Sequence, residues 1–248
     1  MSGAELRVVV PDGLRFFLAV RNRTAATEPS GLRAAVDGTS SLGHIVQSLG
    51  LPLTEVGGLD VDGRAVADSY RPRGGELVRV RAVRRPQEVA KGTVRFVLDV
   101  HLGALARRLR LVGLDTAYRN DMDDDALITQ ANGERRVLLT QDRGLLFRRS
   151  LWCGAFVRGS RPDAQLADVL DRFAPRLAPW TRCMACNGEV VPVSKDEVEH
   201  LLQPGTRRTY DAFVRCLACG QVYWHGAHHG RLDAIVASAT RDRGVAQV

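Results

Sequence analysis

The chain reads as α/β: a three-layer domain with a mainly parallel sheet, preceded by a small β-grasp module and followed by a four-cysteine zinc ribbon. Three observations predict this. Continuous apolar runs alternate with amphipathic helical patterns from Val94 to Phe173, and hairpin, helix and further strands fill the first 88 residues. Two C-x-x-C pairs, Cys183/Cys186 and Cys216/Cys219, then stand about 30 residues apart.

At 248 residues, with 45% hydrophobic and 25% charged residues, the chain has the composition of a globular protein of two or three domains. No apolar run approaches the roughly 20 residues needed to span a bilayer. The opening MSGAELRVVV lacks the charged start and apolar centre of a signal peptide. A membrane role is therefore not expected, and the cytosol is the expected location. The net charge of +7 rests almost wholly on arginine, the only lysines being Lys91 and Lys195. Such a balance points either to nucleic acid as a partner or to a solvated arginine surface.

Residues 1–88 begin with two strand-like runs, ELRVVV and LRFFLAV, separated by the turn PDG. SSLGHIVQSLGL then sets Leu42, Ile45, Val46 and Leu49 at helical spacing, with Gly50 placed to end the helix. GLDVDGRAV and GGELVRVRAV follow as short strands with turn glycines. This pattern predicts a ubiquitin-like β-grasp module, and the polar RRPQEVAKGT with Pro86 predicts a linker after it.

From residue 93 to 180 the pattern changes. VRFVLDV is a continuous apolar strand of the kind covered on both faces. HLGALARRLRLVGL repeats apolar residues at Leu102, Leu105, Ala106 and Leu109, with Gly113 as its cap. TAYRN is a brief strand, DDDALITQAN a short helix, RRVLLT the next buried strand and LWCGAFV another. DAQLADVLDRFAPRL is a helix with Leu166, Val169, Leu170 and Phe173 inward. Residues 181–230 hold the cysteine pairs around the helical SKDEVEHLL, and 231–248 are the C-terminal tail, whose end TRDRGVAQV is expected to fray. Cys153, the fifth cysteine, is expected in the core.

Carboxylates fall where a parallel sheet places ligands, beyond the carboxyl ends of its strands. Asp99 interrupts the apolar RFVLDV, Asp142 follows RVLLT, and Asp121, Asp123, Asp124 and Asp125 follow the short strand and open a helix. Like charges brought together repel unless a cation sits between them, and hard oxygen ligands suit magnesium or manganese. The other reading is capping: Asp123, Asp124 or Asp142 starting a helix, which is the commoner role for any one of them alone. A phosphotransferase with Asp99 as nucleophile is disfavoured, because His101 stands where a second aspartate is expected.

The stretch RFVLDVHLGALARRLRLVGLDTAYRNDMDDDAL, with RVLLTQDRGLL, DAQLADVLDRF, RCMACNGEV and YDAFVRCLACGQVYWHGAHH, resembles the PIN-like ribonuclease domain named after the C-terminal region of the Mut-7 exonuclease. The resemblance covers roughly residues 94 to 230 and consists of several distinct motifs in order. It implies that Asp99, Asp124 and Asp142 form a metal site, with Asp125 less certain. One position departs: Gln141 stands where the family commonly has arginine, which weakens phosphate contact more than metal binding. The first segment, chiefly SLGLPLTEVGGLDVDGRAV, resembles the ubiquitin-like domain often fused to this nuclease. It is similar in architecture to small sulfur carriers, but Gly74-Gly75 is internal, so carrier chemistry at a free diglycine end is not expected.

Four thiolates at C-x-x-C spacing leave a tetrahedral zinc no open position, so that zinc would be structural. His225, His228 and His229 after the second pair read as surface or substrate contacts; Tyr223 and Trp224 either stack on bases or pack beneath the ribbon. Arg107, Arg110 and Arg143 are the expected contacts to an RNA backbone, and Arg108, Arg148 and Arg149 lie close by in sequence. The expected function is a magnesium- or manganese-dependent ribonuclease acting on structured RNA such as transfer or ribosomal RNA. The β-grasp module would position substrate, meet a protein partner or shelter the active site. The competing reading is a non-catalytic RNA-binding adaptor whose carboxylates are structural.

Overall fold

The computed structural model describes residues 4–27, 31–89, 93–224 and 229–244. The chain divides into two compact units, Met1–Gln87 with Thr140–Phe156, and Glu88–Leu139 with Val157–Val248.

In the first unit the elements run β1 (Glu5–Val9), α1 (Asp12–Arg15), α2 (Val20–Arg23), β2 (Leu32–Ala35), α3 (Leu42–Ser48), β3 (Val56–Val61), β4 (Arg64–Val66) and β5 (Leu77–Ala82). They form a five-stranded sheet of order β2-β1-β5-β3-β4, with β1 and β5 parallel and the other pairs antiparallel. That order is the expected β-grasp. Inward residues alternate along β1, so Leu6 and Val8 are buried while Glu5 and Arg7 face outward. The Ser41 side chain caps α3 by accepting the His44 N–H at 3.2 Å, and Leu42, Ile45 and Val46 enter the core.

One predicted strand is absent. LRFFLAV is not the second strand; it carries α1 and the turn after it, and β2 lies later, in GLRAAV. The reason is visible in the spacing of Leu14, Phe17 and Leu18, which recur at i, i+3 and i+4 and are all buried. Two adjacent phenylalanines had masked that period.

The chain continues through β6 (Phe96–Leu98), α4 (Gly103–Leu111), β7 (Thr116–Tyr118), α5 (Asp124–Gly133) and β8 (Val137–Thr140). Strand β6 lies between β7 and β8 and is parallel to both, pairing Leu98 with Tyr118 and Leu139. Phe96, Val97 and Leu98 are fully buried, as a strand covered on both faces requires. Next come α6 (Arg143–Leu146) and β9 (Gly154–Phe156), then α7 (Pro162–Phe173). Helix α7 packs on α4, where Leu105, Ala106 and Leu109 are buried, as are Leu166 and Val169 on α7.

The region expected as one domain over 93–180 is not self-contained, because Thr140–Phe156 belongs to the β-grasp unit. Phe156 packs against that module's core, and Cys153 is half-buried rather than sealed inside.

The remaining elements are β10 (Val190–Val193), α8 (Lys195–Val198), α9 (Pro204–Thr209), β11 (Phe213–Cys216), β12 (Val222–Trp224) and α10 (His229–Gly244). Strands β10, β11 and β12 form an antiparallel meander over Val198, Leu202, Phe213 and Val222. Residues 231–244 of the expected tail lie in α10, which packs on α4 and α7 and buries Ala239, and residues 245–248 fall outside the described residues. Leu232, Ile235, Val236 and Ala239 recur in α10 at i, i+3, i+4 and i+7, a helical period not used in reading the sequence.

Gly113 ends α4 with φ at +86°, and a Cβ there would lie 1.9 Å from the Ala178 carbonyl oxygen. The approach is close because Ala178 N–H and Trp180 N–H donate to the carbonyls of Val112 and Leu111, at 3.0 Å each. Gly113→Ala is expected to cost at least about 1–3 kcal/mol from backbone strain alone. Thermal unfolding checks this; an unchanged midpoint would contradict the close approach.

Candidate functional site

The four cysteines come together at the tips of two turns. Cys183 precedes a knuckle closed by Cys183 N–H to the Gly188 carbonyl (2.7 Å) and Asn187 N–H to the Cys183 carbonyl (2.9 Å). Asn187 takes φ +72°, and a Cβ on Gly188 would lie 2.9 Å from Cys216 Sγ, so only glycine leaves room beside the thiols. The second knuckle closes with Gly220 N–H to the Cys216 carbonyl at 3.0 Å, Gly220 being at φ +74°.

All four Sγ atoms lie within 4.8 Å of one another. Cys183 and Cys219 are 3.7 Å apart and Cys186 and Cys216 3.4 Å. A Zn–S bond of about 2.3 Å gives tetrahedral edges of about 3.8 Å, so the thiols present fit a tetrahedral zinc. Gly188 N–H points at Cys186 Sγ, 3.4 Å away. Tyr223 Oη accepts the Ala185 N–H at 3.4 Å and donates to Cys183 Sγ at 3.0 Å. Tyr223 thus serves the thiols, and Trp224 packs with Phe213, which is the packing reading of both aromatics.

Burial raises the Cys183 thiol, but the Tyr223 hydroxyl and the Cys186 and Ala185 amides outweigh it and bring it to about 7. Burial pushes Cys186 up to about 12. Metal loading therefore releases protons and weakens as pH falls.

The first knuckle is bound to α4 and β7 by buried polar groups. Arg110 is 3% exposed; its Nε donates to the Thr116 carbonyl at 2.9 Å, and its Nη1 to the carbonyls of Met184 (3.1 Å) and Ala185 (2.7 Å). Burial lowers the guanidinium's proton affinity, and the Cys186 and Cys183 thiols oppose that. Asn187 accepts the Thr116 N–H at 2.9 Å and donates to Asp115 Oδ1 at 2.8 Å. Asp115 also takes Arg136 Nη1 at 2.6 Å and faces Arg182 at 3.7 Å. The expectation that Arg110 contacts RNA is corrected by this geometry: its donors are used on backbone carbonyls inside the fold. Arg107, one turn earlier, is exposed.

The strand-end acids occupy different surroundings. Asp99 directly follows β6 and is 5% exposed; its N–H donates to the Leu139 carbonyl at 3.0 Å and its carbonyl accepts from Leu102 at 2.9 Å. Tyr118 Oη donates to the Val100 carbonyl at 2.9 Å, holding the turn after Asp99. Asp123 caps α5 by accepting the Ala126 N–H at 2.8 Å, while Asp124 and Asp125 are exposed in its first turn. Asp142 is exposed; its N–H donates to Thr140 Oγ1 (2.8 Å) and its Oδ1 caps α6 through Gly144 N–H (2.7 Å).

Among the described residues the four cysteines are the only gathered group of three or more ligating side chains. Arg143 donates to the Phe17 carbonyl at 3.3 Å, a partner within the β-grasp unit that spacing could not reveal. His225 and His228 lie outside the described residues, as does the side chain of His229.

Burial raises the Asp115 carboxyl, but hydrogen bonds from Arg136 and Asn187 and the Arg182 charge more than offset this and hold it below the usual range. A carboxylate depressed on folding contributes stability above its unfolded value of about 3.9 and loses it as pH falls through the lowered native value. Asp115→Asn is expected to cost about 1.5–3 kcal/mol at pH 7. The deficit should shrink as pH falls below about 4. Urea unfolding of both chains across pH tests this; a deficit independent of pH would contradict it.

Residues 94–236 match the Mut7-C RNAse domain and residues 3–88 the Mut7-C ubiquitin domain. No curated protein and no solved structure matches the chain. No helix among the described residues is long and apolar enough to cross a membrane. With more than half of its length in that match, the chain belongs to the Mut7-C RNAse domain family, with a Mut7-C ubiquitin domain ahead of the nuclease domain.

Proposed function

We propose that the chain is a metal-dependent ribonuclease that hydrolyses phosphodiester bonds in structured RNA, transfer or ribosomal RNA being the substrate class, in the cytosol. The observation that carries this reading is the parallel register of β6 with β8, Leu98 opposite Leu139, in a chain of an RNase-domain family. Asp99 follows the first strand at once and Asp142 comes three residues past Leu139. Magnesium or manganese would be held by Asp99, Asp124 and Asp142, directly or through water. When bound, the ion supplies polarisation of a phosphoryl oxygen and activation of water.

The chain's own groups set the conditions. Asp99 is buried on a rigid strand end, which fixes its position. Asp124 and Asp142 are exposed, and Asp142 has one oxygen on Gly144 N–H and the other left for a cation. Asp125, beside Asp124 in the first turn of α5, stays a candidate fourth ligand. Arg107 offers an exposed guanidinium to the RNA backbone. A structural zinc on Cys183, Cys186, Cys216 and Cys219 would keep the first knuckle on α4 and β7.

The adaptor reading keeps one observation in its favour: Asp123 and Asp142 each cap a helix, a sufficient structural reason for a carboxylate. The two readings separate with end-labelled cellular RNA incubated with magnesium, manganese or chelator. Cleavage is expected with metal alone, reduced at least about 100-fold in Asp99→Asn and Asp142→Asn, since two powers of ten need under about 3 kcal/mol of lost stabilisation. Arg107→Ala is expected to lower the salt slope of binding by about 1. RNA bound but intact under every metal condition would establish the adaptor instead.

A further inference from the structure

The segment carrying Asp142 is fastened to the β-grasp module at both ends. Near its start, Arg143 Nη1 meets the Phe17 carbonyl at 3.3 Å. The same guanidinium lies 5.4 Å from the Phe16 ring centre and 5.5 Å from that of Phe17. Both are within the roughly 6 Å over which an aromatic face attracts a cation. At the segment's end Phe156 joins the same cluster, 5.2 Å from Phe16 and 5.1 Å from Phe17, the latter edge-on at 80°. Its N–H donates to Glu55 Oε1 at 2.8 Å, and Glu55 is only 4% exposed. A buried carboxylate at a backbone amide is costly to misplace, so it fixes where β9 ends.

We propose that the working function of the β-grasp module is to hold this segment: Phe16, Phe17 and Glu55 are positioning residues for the turn that presents Asp142. The proposal rests on the nuclease reading of Asp142. Thr140 Oγ1 accepts the Asp142 N–H and Asp142 Oδ1 accepts the Gly144 N–H, so residues 140–144 form one hydrogen-bonded turn with Arg143 inside it. Wherever Arg143 is held, Asp142 is held. The guanidinium is therefore a fastening to the module and not a phosphate contact, which revises the expectation for Arg143. Carrier chemistry uses none of these groups, and Gly74-Gly75 lies in an internal turn, Gly75 N–H donating to the Glu5 carbonyl at 2.7 Å.

The test uses the full chain with Phe16→Ala, Arg143→Lys and both together. Phe16 is half-buried beside the core cluster, so its truncation removes less packing than truncation of the buried Phe17. Lysine keeps the charge but lacks the planar group that stacks on two rings, so it separates fastening from simple attraction to phosphate. Hydrogen exchange across residues 140–150 is expected to quicken about threefold to tenfold in each single variant, and in the double by less than the product of the two. The helix Leu42–Ser48 should not change. RNA cleavage by the same variants should fall in kcat with KM unaltered. Unchanged exchange, or effects of the two substitutions that simply add, would overturn the proposal. Coupled exchange in a wild-type chain that cleaves no RNA would uphold the fastening and defeat the nuclease reading instead.

Discussion

The burial of Arg110 joins three parts of the second unit: α4, β7 and the first cysteine knuckle. A guanidinium cannot leave water unless its donors find acceptors, and here they find the carbonyls of Thr116, Met184 and Ala185. One side chain of α4 thus ties the start of β7 to the turn between Cys183 and Cys186. Asn187 and Asp115 make the same connection from the other side, and Arg136 carries it on to the start of β8, its Nη1 donating to the Phe96 carbonyl at 3.2 Å. The cysteine knuckle is therefore a fourth wall of the sheet, and all three parallel strands begin against this network.

What begins in order at one end arrives in order at the other. The register that pairs Leu98 with both Tyr118 and Leu139 decides that Asp99 leaves the sheet beside the ends of its neighbours. Asp99 is rigid because it belongs to a strand end. Asp142 lies in a turn, and a turn needs external support. That support comes from aromatic rings of the β-grasp module, so Asp99 and Asp142, the acids proposed for the nuclease, are governed by two different sets of packing contacts. A chain built this way gains a reason to keep its ubiquitin-like module covalently attached.

Much of this was legible in the sequence because period and spacing have strong local causes. Strands β1, β3 and β5 of the β-grasp module, α4 with its terminal Gly113, and the paired cysteines all follow from apolar repeats and the geometry of sulfur ligation. The first helix was missed because Leu14, Phe17 and Leu18 carry its period through a run that also reads as continuous apolar strand. The last helix was missed although Leu232, Ile235, Val236 and Ala239 carry its period. The roles of Arg110 and Arg143 were not legible at all: both follow an acidic residue in a basic, nuclease-like setting, yet their partners are carbonyls and rings distant in sequence. Residue type announces a charge, and only the fold shows where its hydrogen bonds go. The carboxylates stand between these cases, since capping and cation binding ask for the same residue at the same strand end.

If the knuckle and the sheet are one body, removing a zinc held by the four thiols must loosen more than the ribbon. The deciding measurement is hydrogen exchange on the full chain before and after chelation of zinc. The account predicts faster exchange not only in residues 183–224 but also in α4 and β7, across Leu105–Tyr118, with Leu42–Ser48 unchanged. Exchange that quickens in residues 183–224 alone would contradict it and leave the ribbon an independent appendage.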